Sequence, residues 1–188
     1  LTMHQIIKNT ANDYDPISKL FHWTIALLII GLISLGLYMT SISNDPGRAW
    51  YFNLHKSLGI IAGILILLRI LWRSKHKPHP LPKSVPLWQA KLARFIHLLL
   101  YVCMVGMPLT GFIGASFGKH GISFFGWPLP VWTAKNSFIA EQLFETHEII
   151  AWILIGLIVL HVLAAFKHLL WNKDGVFQRM WFGFFRST

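Results

Sequence analysis

The chain has 188 residues, of which 54% are hydrophobic and only 13% charged, where soluble globular domains carry about a quarter charged. Its formal net charge is +10, from 17 Lys and Arg against seven Asp and Glu. The basic residues lie mainly between and beyond long apolar blocks, as membrane topology requires, and so give no nucleic-acid-binding patch. A soluble enzyme and a nucleic-acid module are thereby excluded, and one polytopic membrane domain embedded in lipid is expected. The single cysteine, Cys103, sits inside an apolar block. It excludes an intrachain disulfide and reads as a small buried hydrophobe.

The first nineteen residues are polar, with Asn9, Asn12, Asp13 and Asp15. The apolar run after them exceeds the roughly 7–15 residues of a signal-peptide core, so no cleaved signal is expected and the run is read as a retained first helix. Four blocks follow in order: Leu20 to about Thr40, Leu54 to Trp72, Phe95 to Ala115 with Pro108 expected to kink it, and His147 to Trp171. Each is near the roughly 20 residues that cross a hydrocarbon core. Lipid offers backbone groups no partners, so spans of this length are helices. The predicted fold is all-α, a polytopic membrane four-helix bundle.

The connection between the second and third spans is read as carrying Arg69, Arg73, Lys75, Lys77, Lys83, Lys91 and Arg94 without an acid. The first and third connections hold fewer basic residues, mixed with Asp45, Glu141 and Glu145, and the tail adds Lys173, Arg179 and Arg186. The positive-inside rule then puts the long basic connection and both termini in the cytoplasm. The stretch His76–Pro86 is Pro-rich and expected to be extended. The tail Val176–Phe185 is either an interfacial aromatic segment or a frayed end.

Six of the ten histidines lie in or at the edges of the apolar blocks: His22, His55, His97, His147, His161 and His168. An imidazole in a bilayer is costly, and six at matched depths call for one explanation. His147 and His161 are fourteen residues apart, a descent of about 21 Å on nearly one helix face. The fourth span thus offers one ligand at each of two levels. By depth, His55 matches the first and His22 the second. Two facing pairs of neutral imidazoles are what six-coordinate b-type haem requires. With one cysteine there is no Cys-x-x-Cys-His attachment, so the haem would be non-covalent. Gly31, Gly36, Gly59, Gly63, Gly111, Gly114 and Gly156 could give flat macrocycles room, or could serve close helix packing. Zinc is a poorer reading, because rings on separate levels cannot converge on one ion.

Phe21-His22-Trp23, Leu54-His55-Lys56-Ser57, Ile96-His97-Leu98, Thr146-His147-Glu148, His161 and Lys167-His168 with Trp171-Asn172-Lys173-Asp174 resemble the bacterial di-haem cytochrome b561 family, the superoxide oxidase-like group. The resemblance covers nearly the whole chain. It implies two haem b groups in the bacterial inner membrane, an inner one on His22 and His161 and an outer one on His55 and His147. It also implies electron transfer from a periplasmic donor, best matched by superoxide, to ubiquinone. The same ligand layout occurs in cytochrome b subunits of membrane dehydrogenases and hydrogenases, so that role stays open. A non-enzymatic role beside a periplasmic lipid- or quinone-binding protein stays open too.

His97 and His168 enter near the inner haem's level and are candidate quinone ligands; contact with the interface or a haem propionate is the alternative. Lys167, Lys173 and Asp174 read as headgroup-facing charges. Arg48, Lys56, Lys119 and Lys135, with His120, lie on the outer side. They could steer a small anion toward the outer haem, or be a solvated scatter.

Overall fold

The computed structural model describes residues 13–42, 45–78, 80–82 and 84–182. Asn9, Asn12, Lys83, Arg186 and the end of the aromatic tail lie outside the described residues. Four long helices dominate: α1 Pro16–Ser41, α2 Arg48–Lys75, α3 Leu87–Phe117 and α4 Ser137–Lys167. The first three apolar blocks lie within longer helices, and the fourth runs from α4 into a π-helical turn, His168–Asn172. The shortest, α1, has 26 residues, about 39 Å of rise and more than the hydrocarbon core needs. All four are long and apolar enough to cross a membrane, and the chain is an all-α, multi-pass membrane bundle. Leu27, Leu67, Val102 and Leu163 are each more than half exposed, an apolar outer face that suits lipid as its solvent.

Local chemistry sets the helix ends. Asp15 caps α1, its carboxylate accepting from Ser18 N at 2.9 Å and Ser18 Oγ at 2.6 Å, with Pro16 opening the helix. Trp72 of α2 donates its indole N–H to the same Asp15 at 3.2 Å. Burial pushes the Asp15 carboxyl up, but the Ser18 and Trp72 hydrogen bonds outweigh it and hold it below its ordinary value. Asn136 caps α4 by accepting from Ile139 N at 3.1 Å. α3 runs unbroken through Pro108, whose ring packs toward Gly63 of α2.

The helices run alternately up and down, so the start of α1, the end of α4 and the α2–α3 connection share one end, the terminal end. The other end carries the α1–α2 turn and a small hairpin, β1 Ser123–Phe124 with β2 Trp127–Pro128. Its two-residue turn has φ of 47° at Phe125 and 88° at Gly126, the left-handed pair that matches strand twist. Phe125 is an unusual residue there, and its N–H is held by Ser57 Oγ at 2.8 Å. Ser57 is fully buried and donates to Asn53 O at 2.7 Å, while Ser123 Oγ donates to Asn53 Oδ1 at 2.8 Å. The hairpin is thus pinned to α2.

Close backbone approach joins α3 to α4, α1 to α2 and α2 to α3. Helix α4 stands further from α1 and α2 and meets them through side chains. The core is a layer of Ile25, Ala62, Ile66, Cys103, Met104, Leu154 and Leu157, with a member from every helix. The tail is not frayed over its described part. Trp23 Nε1 donates to Met180 O at 2.9 Å, Lys19 Nζ to Trp181 O at 3.0 Å, and Trp181 sits edge-on to Trp23. It closes the terminal end of the bundle.

Two charge assignments change. Arg69, like Arg73 and Lys75, belongs to helix α2 rather than to the connection, as Lys91 and Arg94 belong to α3, and Arg69 turns inward to His22. Asp174 does not face the headgroups: its side chain is 7% exposed and lies 2.6 Å from His168 Nδ1.

Candidate functional site

The imidazoles of His22 on α1 and His161 on α4 face one another with ring centres 6.2 Å apart. Those of His55 on α2 and His147 on α4 are 6.3 Å apart. An iron held by two ring nitrogens at about 2 Å each, every nitrogen about 1 Å from its ring centre, needs centres about 6 Å apart. Both pairs fit that requirement, at the two ends of the apolar core layer. Leu154 and Leu157, which lie between His147 and His161 on α4, belong to that layer. It packs between the two levels.

At the hairpin end the supporting shell is set for ligation. His147 Nδ1 lies 3.0 Å from Met107 O, an acceptor, so it carries the proton and leaves Nε2 its lone pair. Thr110 Oγ1 lies 3.1 Å from the same Nδ1. His55 Nδ1 is buried without a hydrogen-bond partner among the described residues. Such an atom is costly unless a group bound at this pair supplies it with a partner.

The glycines divide into three kinds. A Cβ on Gly111 would stand 3.1 Å from His147 Cε1, and one on Gly36 would stand 3.4 Å from His55 Cε1. These two make room for the imidazoles. Gly63 and Gly114 serve close packing, against Pro108 and against Leu143 and Phe144. At Gly31, Gly59 and Gly156 an added Cβ would meet nothing within 4 Å.

Around the terminal-end pair, His97 of α3 lies edge-on to His161 with centres 5.3 Å apart, so His97 does join this cluster. The three rings of His22, His97 and His161 do not form a metal-binding group of their own among the described residues. His168 opens a π-helical turn, His168–Asn172, at the end of α4. Its Nδ1 meets Asp174 Oδ2 at 2.6 Å, and Nε2 has no hydrogen-bond partner among the described residues.

The cations of the hairpin end make specific contacts. Lys56 Nζ donates to Gly121 O at 3.1 Å and Lys135 Nζ to Gly118 O at 2.8 Å. Both ammonium groups therefore flank one turn, beside the helix end that carries His55. Arg48 donates to Met39 O at 3.4 Å and lies over the Phe52 ring. Lys119 is exposed. Residue types alone did not point to Arg69, Met107, Thr110 or Tyr101 as partners of this region; the signal for Arg69 was an arginine with apolar neighbours on both sides.

The sequence matches the prokaryotic cytochrome b561 family over residues 13–183. It is 34% identical over 177 residues to cytochrome b561 homolog 2 of Escherichia coli K12, covering 92% of this chain and 93% of that protein. It is 29% identical to a protein of Yersinia pestis named probable superoxide oxidase, covering 85% of this chain and 90% of that one. It is 25% identical to a probable Ni/Fe-hydrogenase B-type cytochrome subunit of Cupriavidus necator, covering 91% of this chain and 85% of that protein. With its four membrane helices and its matched imidazole pairs, the chain belongs to the prokaryotic cytochrome b561 family of b-type haem, membrane-bound electron-transfer proteins.

Proposed function

We propose that His22 with His161, and His55 with His147, each hold one b-type haem, and that the protein oxidises superoxide at the hairpin end and reduces ubiquinone at the terminal end. The observation that carries this reading is the pair of imidazole spacings, 6.2 Å and 6.3 Å, at two levels of one bundle. Haem supplies a one-electron iron couple, which suits a one-electron donor and a two-electron acceptor. Two superoxide anions would give up one electron each and leave as dioxygen. Ubiquinone would take two electrons and two protons to become ubiquinol.

The chain's own residues support each part. Met107 O orients His147, and the leucine layer of α4 packs between the levels. Lys56 and Lys135, aided by Arg48 and Lys119, make the hairpin end attractive to a small anion. His97 and His168 would hold the quinone oxygens, with Asp174 orienting His168 so that Nε2 can pass a proton. The excess of Lys and Arg at the terminal end argues that this end is cytoplasmic and the hairpin end periplasmic. In a second reading, favoured by the resemblance to the hydrogenase subunit, the donor is a docked partner protein.

The test is stopped-flow mixing of the purified chain with superoxide. The reading expects haem reduction without any partner, followed by re-oxidation on adding a soluble ubiquinone. His97→Ala and His168→Ala should keep the haem content and slow re-oxidation about tenfold, a loss of about 1.4 kcal/mol in the transition state. A chain that superoxide cannot reduce, and that purifies with a partner dehydrogenase, supports the second reading instead.

A further inference from the structure

Arg69 carries a cation into the membrane half of α2, where its Nη2 lies 3.2 Å from His22 Nδ1. Its guanidinium sits 5.7 Å from the centre of the Tyr101 ring, and Arg73 one turn later sits 5.7 Å from the same centre. Among the described residues no carboxylate comes within ion-pair reach of either arginine. Asp15 is nearby, but Ser18 and Trp72 engage both of its oxygens. The Tyr101 hydroxyl is buried with no hydrogen-bond partner among the described residues. Arg69 and Arg73, with Tyr14, Ser18, Trp72 and His76, line a small cavity at this end. Two cations without a carboxylate partner, beside a buried hydroxyl in a membrane protein, favour an anion.

The contact with His22 sharpens the point. A guanidinium has donors only, so Arg69 at Nδ1 requires that nitrogen to present its lone pair, which puts the proton on Nε2. A neutral imidazole that gives Nε2 to iron must carry its proton on Nδ1, as His147 does toward Met107 O. Arg69 and an iron on Nε2 therefore cannot share a neutral His22. With haem on His22 and His161, as proposed above, Arg69 must turn to another acceptor.

We infer that Arg69, assisted by Arg73 and the Tyr101 hydroxyl, is the receptor for a propionate carboxylate of the terminal-end haem, and that its charge sets this haem's potential above what the ligands alone would give. The planar guanidinium suits a carboxylate through two parallel hydrogen bonds. A phospholipid phosphate offers similar chemistry, and the test separates the two. Holding the anion in place with a positive charge favours the reduced iron.

The experiment is a redox titration of the two-haem protein, paired with redox-difference infrared spectra of protein whose haem propionates carry 13C at the carboxyl carbon. Arg69→Gln should favour the oxidised form of one haem about tenfold, about 59 mV lower for one electron. The other haem should not move. The labelled carboxylate bands of the same haem should shift. Arg69→Lys should restore most of the potential but not the bands, because a lysine lacks the fork. Loss of that haem alone in Arg69→Gln, with retention in Arg69→Lys, would also support the inference. Unchanged potential and labelled bands in Arg69→Gln would overturn it, whether or not unlabelled lipid phosphate bands move. Arg73→Gln gives a second variant of the same cluster, for which a smaller shift in the same direction is expected and an unchanged haem would count against the cluster. If His22→Ala and His161→Ala both retained two haems, it is the ligand assignment that would fall, a result distinct from a silent Arg69.

Discussion

Gly111 leaves the His147 ring its place, since a Cβ there would crowd Cε1 at 3.1 Å and Nδ1 at 3.2 Å. A branched side chain cannot yield by the few tenths of an ångström that this spacing asks. Gly111→Val is therefore expected to displace the imidazole and halve the haem content, removing the hairpin-end haem and sparing the other. A pyridine haemochrome assay checks this, and full haem content in the variant would show that the ring has room to move. At this scale the histidines were legible in the sequence because helical periodicity and the cost of polar groups in lipid act on single positions. Their hydrogen-bond partners were not. Met107 and Thr110 come from another helix, and Asp174 reaches His168 only through the π turn, relations that no one-dimensional period encodes.

The helices and the hairpin obey different rules. The spans could be read from length and apolar character, because lipid allows backbone groups no partners outside the helix. The hairpin could not, because its turn residues Phe125 and Gly126 lack the Asn-Gly or Asp-Gly pair that usually marks such a turn. Its stability comes from a distant residue, Ser57, which accepts the Phe125 N–H. Ser57→Ala should leave that N–H and the Asn53 carbonyl without this partner and cost about 1–3 kcal/mol. The measurement is thermal denaturation in detergent, followed alongside hydrogen exchange at Phe125. Unaltered protection at Phe125 would mean that the hairpin holds itself. The tail was likewise open between two readings, interfacial or frayed, and over its described part the bonds from Trp23 and Lys19 to its backbone argue against fraying.

Across the whole molecule, the basic residues divide between two tasks. On the orientation proposed above, those at the terminal end set topology, and those at the hairpin end gather above His55, where Lys56 and Lys135 converge on one turn. If that convergence steers superoxide, the second-order rate of haem reduction should fall as salt shortens the screening length to about 8 Å at physiological ionic strength. Lys119→Glu should lower the same rate without loss of haem, while a neutral one-electron reductant should respond to neither change. Equal indifference of superoxide would remove steering from the account. The architecture as a whole was legible because one helix carries a histidine at each of two levels, fourteen residues apart. The pairing across the bundle rests on that helix, and the most direct test is haem stoichiometry with electron paramagnetic resonance on the purified chain and on four single variants. The parent should hold two low-spin, bis-histidine haems; His55→Ala and His147→Ala should lose the same one, and His22→Ala and His161→Ala the other. One haem in the parent, high-spin iron as isolated, or loss of different haems within a pair would contradict the account.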